Sequence, residues 1–324
     1  MQFLSTYQQL LEVLFRSPNQ GKAPQGLYAP IDYLLSLGGK RLRPVLVLMA
    51  CEAFGEDPKK ALNAAAAVEV FHNFTLMHDD IMDRADVRRG QQTVHQKWNL
   101  NTAILSGDAM LVQAYTYLNA YPSALFTALT QLLSKTALEV CEGQQYDVDF
   151  EAQSDVHISD YLEMIRLKTA VLVGCAMEMG ALIGGASTAE AKLMYRFGEQ
   201  LGIAFQLQDD YLDTFGDATT FGKRIGGDIV ENKKTILVHL ARQQGTVEQQ
   251  EKLTQLLSTT PQDEERKIAA VSTLFKTTKA DEATLAEVAH YTQHAFAVLD
   301  EVSLPPTHKN RFKDFGAWLM KRTK

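Results

Sequence analysis

Residues 71–83 read FHNFTLMHDDIMD, an apolar run carrying Phe71, Phe74, Leu76 and Met77 that ends in Asp79, Asp80 and Asp83. On a helix, Asp79 and Asp83 are four apart and share one face, one turn above the other. Like charges at that spacing weaken an isolated helix by roughly 0.3 kcal/mol. Carboxylates set in an apolar stretch are also costly to bury unless paired or bound to a cation. The same design returns at Asp209-Asp210-Tyr211-Leu212-Asp213, after Ile203, Phe205 and Leu207. A single acidic run is ordinarily a solvated helix face. Two runs of one design point to bound cations instead. Hard divalent ions such as Mg2+ take carboxylate oxygens, keep several waters and share themselves with substrate phosphates.

The surrounding chain also reads as helix. Ala, Leu, Met, Gln, Glu and Lys dominate, and these residues favour helices. Apolar positions recur at three and four, as in Val45, Leu48 and Met49, or Leu162, Ile165 and Leu172. Period-two alternation is nearly absent, so no sheet is expected. Asp57-Pro58 is predicted to start the helix that runs through Ala64–Ala67 into the first acidic cluster. Pro122-Ser123 starts another. The stretch from Gly184 to Thr188 ends one helix and caps the next at Ser187 or Thr188. No linker is long enough to mark a domain boundary. Residues 1–324 are therefore read as a single all-α domain around a central bundle with a deep cavity. The two acidic clusters are expected on separate helices, facing each other across one mouth of that bundle.

Composition narrows the function. The 324 residues are 46% hydrophobic and 22% charged, an ordinary globular balance, and the net charge of -7 argues against nucleic-acid binding. Cys51, Cys141 and Cys175 lack metal-ligand spacing and read as small hydrophobes in a reducing compartment. The first residues (Gln2, Ser5, Gln8, Gln9) show no basic-then-apolar targeting pattern. The most apolar stretch, Val171–Ile183, is interrupted by Glu178 and is too short to span a bilayer. A cytoplasmic protein without stable membrane insertion is expected.

The acidic clusters are matched by local cations. Gly39-Lys40-Arg41-Leu42-Arg43-Pro44 puts Lys40 and Arg43 at the start of a helix, where unpaired N–H groups and the helix dipole attract phosphate. Arg88-Arg89-Gly90 follows the first cluster, and arginine forks bind phosphate oxygens in bidentate fashion. Lys168-Thr169 lies mid-chain. Lys223 and Lys233 follow the second cluster. Singly, each is an ordinary surface cation. As a set, they describe two metal sites with several separate phosphate grips.

This order of motifs resembles the trans-isoprenyl diphosphate synthases of the polyprenyl synthetase family. Gly39–Pro44 is similar to the family's GKxxRP signature. His78–Asp83 with Arg88-Arg89-Gly90 resembles its first aspartate-rich motif. Gly202–Asp213 resembles the second, and Lys223 with Gly226–Lys234 the segment after it. The resemblance implies the all-α isoprenoid synthase fold and head-to-tail condensation of an allylic diphosphate with isopentenyl diphosphate. It implies three Mg2+ ions, with Asp79, Asp83 and Asp209 as ligands, Asp80 among the catalytic acids, and Asp210 and Asp213 as supporting acids. Arg88, Lys168 and Lys223, supported by Lys233, would grip the allylic diphosphate. Lys40, Arg43, Arg89 and His72 would hold isopentenyl diphosphate, though a lone histidine is more often a core residue. Thr169 and Gln206 would line the reacting carbons. A homodimer is implied as well.

In the family, a large side chain about one turn before the first motif floors the tunnel for the growing product. Phe74 occupies that place, with Thr75 beside it and Phe71 deeper. Met110 and Ala114 are expected on the facing wall. This pattern, without an insertion in the first cluster, resembles synthases of geranylgeranyl diphosphate first and farnesyl diphosphate next. The basic end, Lys321–Lys324, reads either as a frayed basic tail or as a segment that folds over the isopentenyl site. Two other readings share parts of the pattern. A class I terpene cyclase ordinarily carries an Asn/Asp–Ser/Thr–Glu triad in place of the second cluster. A non-catalytic subunit ordinarily loses acids or grips that are all retained here.

Overall fold

Helices carry most of the chain because its helix formers are interrupted only by short Gly-, Pro- and Asn-bearing joints. The computed structural model describes residues 2–15, 18–153, 155–216, 225–258 and 263–321. In chain order the first helices are α1 (Gln2–Phe15), α2 (Gln25–Ser36), α3 (Leu42–Ala53), α4 (Leu62–Met82), the short α5 (Val94–Lys97) and α6 (Leu100–Leu118). Then come α7 (Ser123–Ala152), α8 (Ile158–Ile165), α9 (Val171–Ile183) and α10 (Thr188–Phe215). The last are α11 (Gly227–Val230), α12 (Ile236–Gln244), α13 (Val247–Leu257), α14 (Glu264–Thr277), α15 (Ala280–Glu301) and α16 (Pro306–Lys321). Contacts divide the chain into two compact units, Met1–Lys135 with Cys175–Tyr195, and Thr136–Gly174 with Arg196–Lys324. Among the described residues, no helix is long and apolar enough to cross a membrane.

In the first unit, α4 is the axis of the packing. Its run Ala64–Ala67, Val68, Val70 and Phe71 is fully buried between α3 and α6. The small alanines let those helices approach. At Gly107 of α6, a Cβ would collide with the imidazole of His78 on α4. The glycine thus fixes how the acid-bearing end of α4 meets α6. Gly180 and Gly184, one turn apart on α9, play the same part against the backbone of α3 at Val47 and Cys51.

Two expectations need correction here. Helix α4 begins at Leu62, not at Pro58. Pro58–Ala61 forms a 3-10 turn, capped by the Asp57 carboxylate, which accepts from the Lys59 N–H at 2.8 Å. A small sheet is also present. Val87–Arg88 pairs with Gln91–Gln92 as an antiparallel hairpin. Its turn residues, Arg89 (φ 53) and Gly90 (φ 75), both lie in the left-handed region. Such turns have the twist a two-residue hairpin needs. Strands of two residues are too short to show alternation, which is why the sequence gives no sign of them.

In the second unit, Leu207, Ile236, Leu237, Val271, Phe275 and Ala280 form the centre of a buried apolar cluster. Helices α12, α14 and α15 pack around it. The feature that positions chemistry is a π-helical turn, Arg166–Ala170, between α8 and α9. Such turns widen the helix locally and are frequent at functional sites. Two glycines accommodate it. A Cβ at Gly143 of α7 would fall on the backbone nitrogen of Lys168, and one at Gly202 of α10 would lie 2.7 Å from Cα of Ala170.

Candidate active site

Both acidic clusters lie at helix C-termini. Asp79 and Asp80 are in the last turn of α4 and Asp83 caps it, its N–H donating to the Asp79 carbonyl at 2.8 Å. Asp209, Asp210 and Asp213 lie in the last two turns of α10. Neither helix has a basic residue in its last turn. A C-terminus already carries partial negative charge, so a carboxylate in the last turn is disfavoured by roughly 0.3–1 kcal/mol. Repulsion at the four-residue spacing adds to this. Both helix ends therefore gain from a bound cation.

The three acids of α4 divide by direction. Asp83 is exposed and Asp79 half-buried, whereas Asp80 is buried. Arg88, on the hairpin, donates from Nε to both Asp80 oxygens at 2.9 Å, and its NH2 lies 2.7 Å from Oδ1. Burial pushes the Asp80 carboxyl above its usual range, and Arg88 opposes that rise. Asp80 therefore holds Arg88, and Asp79 and Asp83 are left on the more open side. Among the described residues, no three carboxylate, imidazole or thiol groups converge as a closed cage.

The grips expected around the first cluster come together in space. Arg89 NH1 donates to the Gly38 carbonyl. Its guanidinium lies so close to Gly39 (φ 123) that a Cβ there would be 2.8 Å from the guanidinium carbon. Glycine is needed at 39 both for the backbone and for this approach. The hairpin is thereby tied to the start of α3, where Lys40 and Arg43 stand. Arg43 NH1 is 3.2 Å from His72 Nε2. An arginine only donates, so Nε2 accepts and the ring is neutral with its proton on Nδ1. Burial, then Arg43, Arg89, Arg88 and Arg41, hold the His72 pKa well below the usual value.

Arg41 is different. It enters α3 in the left-handed region (φ 50), donates to the buried Glu69 and to the Leu35 carbonyl, and lies over the Phe15 ring at 4.7 Å. Glu69 also accepts from Asn73 at 3.0 Å. Arg41 anchors the loop that presents its neighbours. Further along α4, Phe74 is half-buried between Phe71 (ring centroids 5.6 Å) and His78 (4.8 Å). Thr75 donates back to the His72 carbonyl at 2.8 Å. Met110 and Ala114 are fully buried on α6.

In the second unit, the expected residues form one hydrogen-bonded array. Gly202, Gln206 and Asp210 recur every four residues along α10 and face α8 and the π turn. Thr169 Oγ1 donates to Gln206 Oε1 at 3.1 Å, and Gln206 Nε2 donates to Asp210 Oδ1 at 2.9 Å. Asp210 Oδ2 accepts from the buried Tyr161 hydroxyl. Burial pushes Asp210 up to about 6, against the pull of these two donors. Tyr161 is driven well above 10 by burial and by Asp210, so it remains a donor. Lys168 is paired with Asp147 of α7 at 2.5 Å. Asp213 accepts from the Asp228 N–H at 3.0 Å, tying α10 to α11, and Lys233 lies 3.4 Å from Glu231. Lys223 and residues 322–324 of the basic end lie outside the described residues.

Four participants escape a reading by motif: Arg41 as an anchor, Glu69, Asp147 and Tyr161. Each acts through a partner 21 to 49 residues away. Only Gly143, an unfavourable residue in mid-helix, hints that something must approach α7 closely.

The polyprenyl synthetase family model matches residues 24–274. The chain belongs to this family. A geranylgeranyl diphosphate synthase of Methanosarcina mazei is 45% identical over 224 residues, covering 68% of this chain and 69% of that protein. A geranylfarnesyl diphosphate synthase of Natronomonas pharaonis is 40% identical over 269 residues, covering 78% and 77%. A crystal structure of a geranylgeranyl pyrophosphate synthase superimposes with a TM-score of 0.95 at 48% identity over 99% of both chains. The chain is thus an all-α polyprenyl synthetase, a trans-prenyltransferase of the short-chain type.

Proposed function

We propose that this polyprenyl synthetase joins isopentenyl diphosphate head-to-tail to an allylic diphosphate and delivers geranylgeranyl diphosphate, with farnesyl diphosphate the next candidate. One observation carries the reading. Arg43, Arg89 and neutral His72, with Lys40 beside them, gather next to a helix whose last turn and cap carry Asp79, Asp80 and Asp83. Such a surface takes a polyanion together with a divalent cation, not either alone.

Lys40, Arg43, Arg89 and His72 would hold isopentenyl diphosphate, the imidazole through its Nδ1–H. Asp79, Asp83 and Asp209 would hold Mg2+. When bound, the metal supplies neutralising charge for a departing diphosphate. Arg88, Lys168, Lys223 and Lys233 would grip that diphosphate, Arg88 and Lys168 turning to it from Asp80 and Asp147. The allylic C–O bond breaks, the isopentenyl double bond attacks, and the adduct loses a proton to the released diphosphate. Positive charge at the allylic carbon must be shielded from water, which apolar walls achieve. Phe74, backed by Phe71 and flanked by Thr75, would stop chain growth.

A homodimer fits the surface of α6, where Leu105 is 60% and Val112 63% exposed beside Leu100 and Ile104. An apolar stripe of this kind marks an interface. A reducing cytoplasm is proposed as its compartment, from the scattered spacing of Cys51, Cys141 and Cys175.

The test is incubation with Mg2+, dimethylallyl diphosphate and isopentenyl diphosphate, with products resolved by chain length. All-trans geranylgeranyl diphosphate is expected. Diphosphate release without isopentenyl diphosphate would mean a cyclase, and no turnover would mean a non-catalytic subunit. Light scattering of a Leu105→Asp/Val112→Asp variant should show monomers if α6 forms the dimer interface.

A further inference from the structure

Tyr161 matches none of the motifs, yet its hydroxyl is buried against the second acidic cluster. Its ring packs on His239, centroids 5.5 Å apart. Donor and acceptor rules fix the direction of every bond in the array it ends. The phenol has one hydrogen, given to Asp210 Oδ2. A carboxylate only accepts, so the Gln206 group facing Asp210 Oδ1 at 2.9 Å must be the amide nitrogen. The amide oxygen then points the other way, to Thr169 at 3.1 Å. An amide oxygen also only accepts, so Thr169 commits its one hydrogen to Gln206. The lone pairs of Thr169 Oγ1 are not used within the array. All donors point towards Asp210, which carries the negative charge of the array, and the Thr169 hydroxyl stands at its far end with its hydrogen committed.

We propose that Tyr161 is a positioning residue for the condensation: through Asp210 and Gln206, it holds Thr169 with hydrogen inward and lone pairs presented to the reacting carbons. This rests on the reading that Thr169 lines those carbons. The chemistry follows from the charge that develops. When the allylic C–O bond breaks, the electron pair leaves with the diphosphate and the carbon becomes positive. An oxygen lone pair aimed at that carbon stabilises the charge, whereas a hydroxyl hydrogen aimed there opposes it. Fixing the rotor before reaction avoids reorganisation at the moment of bond breaking. With both oxygens engaged, Asp210 serves this array, and metal binding falls to Asp209.

The test is a double-mutant cycle on turnover at saturating Mg2+, using Tyr161→Phe, Thr169→Val and the double variant. Loss of one hydrogen bond to a charged group should lower kcat of Tyr161→Phe roughly tenfold, with KM for both substrates within about twofold. The double variant should be no slower than Thr169→Val alone, because Tyr161 acts only through Thr169. An unchanged kcat for Tyr161→Phe, or effects that multiply in the double variant, would overturn the proposal. Wild-type kcat in Thr169→Val would instead remove the underlying reading of Thr169. Tyr161→Phe keeps the ring on His239. If it nevertheless unfolds, Asp210→Asn replaces it in the cycle, with the same expected non-additivity and the same refuting outcome.

Discussion

Replacing His239 by leucine should flatten the acid limb of the stability curve. His239 is buried on α12 beside Tyr161, and its Nε2 has no hydrogen-bond partner among the described residues. Burial first, and then the charge of Arg242, push its pKa from 6.5 down to about 4. The folded imidazole is therefore neutral at pH values where the unfolded one is protonated. Stability is complete above about pH 6.5 and falls as pH drops towards 4, since the unfolded chain then binds the extra proton. The two values give a loss of about 2 kcal/mol between pH 7 and pH 5, and about 3 kcal/mol once pH is below 4. The assay is urea unfolding of wild type and His239→Leu at pH 7 and pH 5, at one protein concentration because association also stabilises. The wild type should lose about 2 kcal/mol more than the variant over that interval. Equal losses would show that His239 is not held neutral and would refute the burial argument.

Asp79→Ala and Asp209→Ala should each cut turnover by orders of magnitude while the chain still folds, read by steady-state kinetics and circular dichroism; near-normal turnover in either would sink the metal assignment. Phe74→Ala should shift products to longer prenyl chains, read by chromatography of the dephosphorylated alcohols; an unaltered spectrum would retire Phe74 as the floor. Gly143→Ala should lower both stability and turnover, since the added methyl meets the Lys168 backbone, at a cost of about 1–3 kcal/mol for overpacking; a fully active variant would mean that the π turn need not be held against α7. Glu69→Ala should destabilise by about 3–5 kcal/mol by stranding the Arg41 guanidinium, checked by thermal unfolding, with a smaller loss arguing that Arg41 finds another acceptor.

Local sequence was enough for the chemistry that lies within one or two helical turns. The four-residue spacing of Asp79 and Asp83, or of Asp209 and Asp213, is a property of any helix, so their shared face needed no tertiary information. The same holds for Lys40 and Arg43 at the start of α3. The family resemblance rests on those short strings, and the comparisons agree with it. Helix starts were less secure. Leu62 and Pro58 differ as first residues of α4 because a 3-10 turn and an α-turn share the same capping signal.

What the sequence left open was which charge answers which. Arg41, Lys40 and Arg43 look alike in the string, and it is Arg41 that pairs with the buried Glu69, from a left-handed position. Asp79 and Asp80 are neighbours, but 100° of helical rotation sends one to the open side and the other inward to Arg88. Arg88 itself arrives on a hairpin two residues deep. Tyr161 joins Asp210 across 49 positions. Hydrogen bonds and ion pairs depend on separations of a few tenths of an ångström, set by how glycines such as 107, 143 and 202 let helices approach. Such distances exist only once the chain is packed, so the amino-acid order names the chemical groups and tertiary structure alone decides how they are paired.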